Sequence, residues 1–503
     1  MGTDPALNLG AWRRIDGTEG GNALRIPARH LVTHGVVVGM TGSGKTGLLT
    51  VLVEEALSAG VPTLVIDVKG DLPNLLLSFP GFDPADLQPW VEAAGDEPAG
   101  STPSDLAVQL SEGRRRILAG WSIGEAEVAR FSASTSVRVL TPGATAGESV
   151  HVLSTLERRS SRWDTDPESA RYALSAAVSL VLRLLGRDPD PARSREHVLL
   201  SVLAERRLSQ GQNAELSVLM NDLVEPPMTD IGALPIDAFL AKADRRKLAA
   251  ALNSLLASPT FATWRQGTSL DVGEWLTPKN GRTPVVVVSV AHLDDDERAL
   301  VLGVLLEEVL CWVRGQSGSQ RLKALLVFDE VYGFLPPHPA NPPTKRPIVA
   351  LMKQARAFGV GVLLATQNPM DLDYRALSNA GLWFLGRLQT DADRERVLDG
   401  LVEATGHGAG PAGDLNHLVQ RLAPHWFLVR DAHASSAPVL LEPRQTISFL
   451  RGPMTRNEIR RGKEQREKVE AQAAKGTTEA APEQVELRKG TTEAAPEQVE
   501  LRA

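Results

Sequence analysis

The feature that most constrains this 503-residue chain is a glycine-rich run between an apolar segment and a helix-like segment. Gly35–Val38 precede the run with the composition of a buried strand, and Leu48–Leu57 follow it. Strand, glycine-rich turn and helix together predict a loop whose backbone N–H groups face phosphate oxygens. A chance Gly/Ser turn is the alternative. The run reads GMTGSGKT and contains Gly39, Met40, Thr41, Gly42, Ser43, Gly44, Lys45 and Thr46.

Within such a loop, Lys45 would reach the β- and γ-phosphates and the Thr46 hydroxyl would ligate Mg²⁺. An enzyme with such a loop also needs a second, acidic site that holds Mg²⁺ and activates water. Asp329 and Glu330 follow the apolar run Leu325–Phe328. We expect Asp329 to hold Mg²⁺ and Glu330 to polarise the attacking water as general base. A strand that simply ends in a charged turn is the alternative.

A glutamate directly after the aspartate points to the additional-strand class of P-loop ATPases. This class has one more strand in the sheet between the loop strand and the Asp-Glu strand. Val362–Ala365 fits that strand, and Gln367 follows it. We therefore predict that Gln367 senses the γ-phosphate and the water, although a polar residue at this place is also an ordinary turn former.

Other candidate site residues lie at helix and strand ends. Arg356 is a candidate arginine finger that acts on a neighbouring subunit's nucleotide, or else a solvated helix-end arginine. Arg387 is a second candidate finger. Asp67 and Lys69 close the second strand and lie at the rim of the nucleotide site, at the subunit junction, or in a plain strand-exit turn.

Short apolar segments recur between helical stretches, which indicates an α/β fold with a parallel sheet covered on both faces. Residues 141–273 form an Ala-, Leu- and Arg-rich stretch that predicts a helical lobe inserted between two parts of the core, 1–140 and 274–454. Residues 455–503 are charged and contain a perfect repeat, so we expect a disordered or weakly helical tail. The predicted strands are Gly35–Val38, Thr63–Val68, Val137–Leu140, Pro284–Val290, Ala324–Phe328, Val362–Ala365, Leu382–Leu385 and Trp426–Val429.

The composition excludes several classes of protein. The one cysteine rules out an intramolecular disulfide framework. Zinc-site spacings of histidine and cysteine do not occur, and no apolar run has the roughly 18 residues that span a bilayer. We therefore predict a cytoplasmic protein that does not associate with membranes. The net charge of −7 does not favour simple DNA binding, but a ring that threads DNA needs positive charge only in its channel.

The motifs together resemble the HerA/FtsK superfamily of ring ATPases, and most closely its HerA-like branch. The resemblance rests on GMTGSGKT and on five further segments, which are Arg29-His30, Ile66–Asp71 (IDVKGD), Val327–Glu330 (VFDE), Gln354–Gly361 (QARAFGVG) and Ala365–Pro369 (ATQNP). It implies a RecA-like P-loop NTPase core, ATP and Mg²⁺ as cofactors, and a homo-oligomer, namely a hexamer that translocates on double-stranded DNA. A docked nuclease or another protein partner is also implied. HerA proteins begin with a β-barrel, whereas only some 30 residues precede the loop strand in this sequence.

Three basic clusters are candidate DNA contacts, and each is otherwise a solvated helix face. They are Arg114–Arg116, Arg245–Lys247 and the proline-rich loop 336–346 with Lys345 and Arg346. A second hypothesis stays open beside the motor: an ATP-gated assembly or signalling ATPase that binds proteins without translocating DNA.

Overall fold

The computed structural model describes residues 4–91 and 102–479, apart from 368, 370, 371, 378, 389, 392, 393, 396–411, 435 and 436. Its strands are β1 (Ala6–Asn8), β2 (Gly10–Arg14), β3 (Gly20–Gly21), β4 (Arg25–Pro27), β5 (Gly35–Val38), β6 (Thr63–Asp67), β7 (Thr135–Leu140), β8 (Val150–His151), β9 (Asp230–Ile231), β10 (Leu234–Pro235), β11 (Thr268–Ser269), β12 (Thr283–Ser289), β13 (Ala324–Asp329), β14 (Val360–Thr366), β15 (Leu382–Leu385), β16 (Phe427–Asp431) and β17 (Val439–Pro443).

An eleven-stranded sheet forms the centre of the fold, in the order β3-β2-β17-β16-β15-β5-β14-β13-β6-β12-β7. It contains all eight predicted strands. The strands from β15 to β7 are parallel, whereas β16, β17, β2 and β3 pair antiparallel. The prediction of a parallel sheet is therefore wrong for Trp426–Val429, which is observed as the antiparallel β16. The apolar character of a buried strand does not encode its direction.

The predicted additional strand is confirmed, because β14 lies between β5 and β13. Ala365 of β14 pairs with Val37, and Leu364 pairs with Phe328. The three strands are parallel, so their carboxyl ends meet at one edge of the sheet. That edge carries the glycine-rich loop, the Asp329-Glu330 pair and Gln367.

Helices cover the sheet. They are α1 (Lys45–Ser58), α2 (Pro84–Leu87), α3 (Pro103–Ala119), α4 (Glu125–Ser134), α5 (Ser154–Glu157), α6 (Arg162–Thr165), α7 (Pro167–Leu184), α8 (Arg195–Ser209), α9 (Leu216–Val224), α10 (Ile236–Phe239), α11 (Lys242–Ala257), α12 (Val272–Trp275), α13 (Asp295–Arg314), α14 (Lys345–Gln354), α15 (Tyr374–Leu377), α16 (Ala412–Arg421) and α17 (Arg456–Glu479). Shorter 3₁₀ turns lie at Ala28–Thr33, Leu72–Leu76, Gln88–Trp90, Phe261–Trp264 and Ala355–Phe358.

The two faces of the sheet pack against separate hydrophobic clusters. Val36 and Val38 belong to the cluster that contains α7, α8, α11 and α13, whereas Val37 belongs to the cluster that contains α1 and α3. Successive strand residues point to opposite faces, so both faces need apolar side chains. This explains why the parallel strands are continuous apolar runs rather than alternating ones.

Residues 141–273 contribute α5 to α12 and belong to the layer on one face of the sheet. Helix α7 of this stretch packs along α13, and α11 packs on α9. Arg162 of α6 also pairs with the buried Glu308 of α13. The division of the chain into separate domains at these positions stays a prediction.

The start of the predicted tail is an ordered helix. Helix α17 packs on the core through Arg466, whose guanidinium is 3% exposed. It donates to Ser78 Oγ at 2.6 Å and to the carbonyls of Ser132 and Thr135, both at 2.9 Å. This packing could not be predicted from the polar sequence, because a buried arginine and not an apolar side chain makes the contact. Residues 480–503, which hold most of the repeat, lie outside the described residues.

None of the helices in the described residues combines the length and the hydropathy that a bilayer crossing requires.

A buried histidine next to β14 gives the fold a defined response to pH. His34 has a φ of 65° and is 1% exposed, and its Nδ1 accepts from the Val362 N–H at 3.1 Å. Burial, and secondly the charge of Arg356, lower the pKa of His34 from 6.5 to about 4. The unfolded chain takes up this proton near pH 6.5 and the folded chain only near pH 4. His34 therefore lowers the free energy of unfolding as the pH falls through that window.

We expect His34→Asn to remove this part of the acid sensitivity. An asparagine Oδ1 can accept the same hydrogen bond, and asparagine tolerates a positive φ. The melting temperature of the wild-type protein should fall further between about pH 7 and about pH 5 than that of the variant. Equal falls in the two proteins would show that His34 does not titrate in this way.

Candidate functional site

The glycine-rich loop connects the end of β5 to the start of α1 and has a tightly fixed backbone. Gly42 and Gly44 have φ values of 77° and 93°, which residues other than glycine rarely adopt. A Cβ on Gly44 would also lie 2.6 Å from the Nδ1 of His425. The N–H of Met40 donates to the Arg387 carbonyl at 3.0 Å, which ties the loop to the end of β15. The loop is thus held in shape by its neighbours.

Lys45, the first residue of α1, is buried against this loop. Its amine donates to the carbonyl of Gly39 and, at 3.1 Å, to that of Met40. Burial lowers the pKa of Lys45 to about 8, and the neighbouring charge of Lys69 adds to this lowering. The amine is partly desolvated, and its hydrogen-bond partners are neutral carbonyls that leave its charge uncompensated. An anion bound at the loop would therefore interact strongly with this amine.

Glu330 lies just beyond the end of β13, with a φ of 65°. Its Oε2 accepts from Lys69 Nζ and from Gln367 Nε2, both at 2.7 Å, and its Oε1 accepts from the Gln367 N–H at 3.2 Å. Burial alone would raise the pKa of Glu330, but the hydrogen bonds from Lys69 and Gln367 outweigh it and lower the pKa. Glu330 is therefore an ionised carboxylate at a fixed position.

Gln367 connects this carboxylate to the glycine-rich loop. Its Oε1 accepts from the hydroxyl of Thr41, while its Nε2 donates to Glu330. A continuous chain of hydrogen bonds thus joins Thr41, Gln367, Glu330 and Lys69. The neighbouring Asn368 of the sequence motif lies outside the described residues.

Asp329 has the surroundings of a cation ligand. It is 1% exposed, and its Oδ2 has no hydrogen-bond partner in the described part of the chain. Burial is the main cause that raises the pKa of Asp329 from 3.8 to about 7; the charge of Lys69 opposes this shift, and the carboxyl of Asp67, which pairs with it in register, contributes to it. The half-buried Thr46 lines the adjacent cleft. A divalent cation would compensate the buried carboxylate, and oxygen donors of these two types suit Mg²⁺.

Asp67 does not take the position predicted for a nucleotide contact. It is fully buried, and its carboxylate accepts from Ser289 Oγ and from the Gly70 N–H, both at 2.9 Å. It therefore fixes the turn after β6, which agrees with the strand-exit alternative. Two later residues of this turn, Lys69 and Asp71, line the cleft.

The residues at the loop border a cleft of about 810 Å³. One part of its wall is the loop with Lys45, Thr46, Lys69 and Gln367. The rest comes from three distant segments that sequence reasoning missed. Trp121 is the most visible of them in the sequence, as an aromatic residue in a Gly-Trp-Ser-Ile-Gly turn, but His425 and Arg444 carry no comparable signal. The additional lining residues include Trp121, Pro424, His425, Pro443, Arg444 and Leu450.

The two candidate arginine fingers lie at opposite ends of the parallel strands. Arg387 follows the carboxyl end of β15, beside the glycine-rich loop, and its side chain is exposed. Arg356 precedes the amino end of β14 and is also exposed, in a shallow pocket with Arg29, His30 and Lys353. The structure therefore does not bring Arg356 to the glycine-rich loop.

Several residues of the basic clusters make hydrogen bonds or ion pairs within the fold. Arg114 donates to the Ile447 carbonyl at 2.9 Å and stacks on Phe449. Arg245 is 3% exposed and pairs with Asp237 at 2.7 Å.

The basic residues of the loop that follows the Asp-Glu strand are engaged in the same way. Lys345 lies 3.4 Å from Asp373, and Arg346 pairs with Glu307 while it stacks on Tyr172. These four basic side chains in the predicted DNA contacts are thus already partnered.

Comparisons with known proteins agree with the motifs. The family model described as "Helicase HerA-like C-terminal" matches residues 13–81. The DNA double-strand break repair helicase HerA of Saccharolobus solfataricus is 27% identical over 136 residues, which is 26% of this chain and 26% of that relative. The match thus spans about a quarter of the relative's length. The predicted resemblance to the HerA/FtsK superfamily is confirmed, and the strand order is that of an additional-strand, RecA-like P-loop NTPase.

Two solved structures overlap with most of the chain. VirB4 of Thermoanaerobacter pseudethanolicus has a TM-score of 0.49 at 12% identity, over 88% of this chain and 97% of that one. The plasmid coupling protein TrwB in complex with the ATP analogue ADPNP has a TM-score of 0.47 at 15% identity, over 86% of this chain and 89% of that one.

Proposed function

We propose that this chain is an Mg²⁺-dependent ATPase that assembles into a ring and translocates on or remodels double-stranded DNA. The observation that carries the catalytic part is the hydrogen-bonded chain from Thr41 through Gln367 to Glu330 and Lys69, beside the buried amine of Lys45. It puts a fixed, ionised carboxylate next to a loop built for phosphates. Such a pairing serves hydrolysis rather than binding alone.

Each side chain of the site has a distinct task in this proposal. Lys45 binds the β- and γ-phosphate oxygens with the loop N–H groups. Glu330 orients a water molecule and accepts its proton. Gln367 hydrogen-bonds to both the loop and Glu330, so it couples the binding of the γ-phosphate to the position of the carboxylate. Lys69 holds Glu330 in place through its 2.7 Å contact.

Asp329 and Thr46 would hold Mg²⁺, whose chemistry is to bridge and neutralise the phosphate oxygens. No cluster of three or more His, Cys, Asp or Glu suited to a metal occurs among the described residues. This fits Mg²⁺, which uses one or two protein ligands and keeps waters and phosphates as the others.

The position of Arg356 supports the proposed ring. An exposed arginine at the edge of the sheet opposite the cleft can complete a catalytic site in a neighbouring subunit, as arginine fingers do. The matched relative is by name a DNA double-strand break repair helicase, which supports duplex DNA as the substrate of movement. A hexamer with a nuclease or another protein partner is the assembly that this resemblance favours, and a cytoplasmic location fits it.

The second candidate function is an ATP-gated assembly or signalling ATPase that does not translocate DNA. Two observations favour it: the net charge of −7, and the intramolecular pairing of Arg114, Arg245, Lys345 and Arg346. A motor must keep cations free for DNA phosphates, whereas an assembly ATPase need not.

The response of the ATPase rate to duplex DNA distinguishes the two candidate functions. For the motor we expect DNA to raise the ATPase rate, and we expect this increase to fall steeply as salt is raised from about 50 to about 200 mM, because counterions compete for the phosphates. ATP turnover should be measured with and without a long duplex at each salt concentration. A rate that does not respond to DNA at the lowest salt concentration would favour the assembly ATPase.

Glu330→Gln should separate nucleotide binding from hydrolysis. The amide cannot accept the proton of water, so turnover should fall by about 10²- to 10⁴-fold while ATP still binds. Lys45→Ala should lose binding itself. ATP binding by calorimetry and phosphate release test both variants, with Glu19→Gln as the matched control, because Glu19 pairs with Arg14 at the exposed surface. Normal turnover by Glu330→Gln would refute the assignment of the general base.

Arg356→Ala should lower turnover without weakening ATP binding, because its guanidinium acts on the neighbour's nucleotide. Arg206→Ala, an exposed arginine of α8, is the control. Mixing Arg356→Ala subunits with Glu330→Gln subunits should restore part of the activity, since some interfaces then combine an intact Glu330 with an intact Arg356. Turnover of the mixture that equals the mean of the two inactive variants would argue for a solvated surface arginine.

A further inference from the structure

The nucleotide cleft has two chemically different ends. The loop end carries the amines of Lys45 and Lys69 and the loop N–H groups. The far end is lined by the apolar side chains of Trp121, Pro443 and Leu450 and by the polar ones of Glu442, Gln445 and Thr446. The first end suits phosphates, and the second suits a flat ring that carries polar groups on its rim.

The cation at the far end is already neutralised. Arg444 borders the cleft, but its guanidinium is buried and contacts Glu54 and Glu55 of α1, both at 2.8 Å. Glu54 also accepts from the Ile447 and Ser448 N–H groups at 3.0 and 2.8 Å. Arg444 therefore fixes the segment 444–450 to α1 and has little charge left for a phosphate.

Trp121 stands over this end on a rigid support. It follows α3, and a sharp turn with Ser122 at a φ of 59° puts Ile123 back into the core. Helix α3 is fastened to the segment 444–450, because Arg114 donates to the Ile447 carbonyl at 2.9 Å and stacks on Phe449. The indole is half-buried, so it keeps surface free toward the cleft.

We propose that Trp121 is the base-stacking residue of the nucleotide site and that the cleft takes purine nucleotides in preference to pyrimidine nucleotides. The assignment rests on the proposed nucleotide function and adds the recognition of the base to it. An indole ring gains more from stacking on the larger ring system of a purine. The cleft volume of about 810 Å³ lies within the range for small-molecule and cofactor sites.

The test measures binding of ADP, CDP and inorganic pyrophosphate, with Mg²⁺, to the full-length protein by calorimetry. Trp121→Ala should weaken ADP binding by about 5- to 150-fold, the range found for one stacked base, and leave pyrophosphate binding unchanged. Trp121→Phe keeps an aromatic face and should retain most of the affinity for ADP. Wild-type protein should bind ADP more tightly than CDP, and Trp121→Ala should reduce that difference.

Ile117→Ala is the matched control, since Ile117 is a 52% exposed apolar side chain one turn earlier in α3. It should bind ADP as the wild-type protein does. Unchanged ADP binding by Trp121→Ala would overturn the proposal. So would an equal loss of ADP and pyrophosphate, which would make Trp121 a support for the loop. Failure of the proposed function has a different signature, namely that Lys45→Ala binds both ligands normally.

Discussion

The pairing of β14 between β5 and β13 is the constraint on which the site depends. Three parallel strands in this order bring the glycine-rich loop, Gln367 and the Asp329-Glu330 pair to one edge of the sheet, although more than 280 residues separate the loop from Asp329 in the chain. The sheet can hold this arrangement because both its faces are buried. The catalytic geometry is therefore a consequence of strand order rather than of loop flexibility.

Neighbouring carboxylates at that edge have opposite surroundings. Glu330 accepts hydrogen bonds from Lys69 and Gln367, which lower its pKa, whereas Asp329 is buried with an unpartnered oxygen, and burial raises its pKa to about 7. Groups whose environments drive their pKa values apart take different roles. In the proposed mechanism Glu330 is therefore already ionised when it acts as the base, and a cation beside Asp329 would favour the ionised form of that carboxyl.

The parts of this site that could be predicted from sequence are those encoded by local patterns. The loop, the Asp-Glu pair and all eight predicted strands each follow from a short apolar or glycine-rich run. Other features depend on contacts between distant segments, and a single sequence does not reveal them. The antiparallel direction of β16, the hydrogen bond from Ser289 to the buried Asp67, and the docking of Arg466 are of this kind. The partners of Arg114 and Arg346 are of the same kind, since charge in a sequence says nothing about a partner that is remote in the chain.

The buried charges at Arg444 connect the two ends of the cleft. A buried ion pair gives little net stability, because desolvation offsets most of the attraction, yet Glu54 and Glu55 hold Arg444 from the same helix that begins at Lys45. The phosphate loop and the segment 444–450 are thus attached to opposite ends of one rigid element. In the proposed nucleotide site, this attachment links the wall that would contact the phosphates to the wall that would contact the base. Arg356 lies at the amino ends of the strands, away from both walls, which is why the proposal assigns it to the site of a neighbouring subunit.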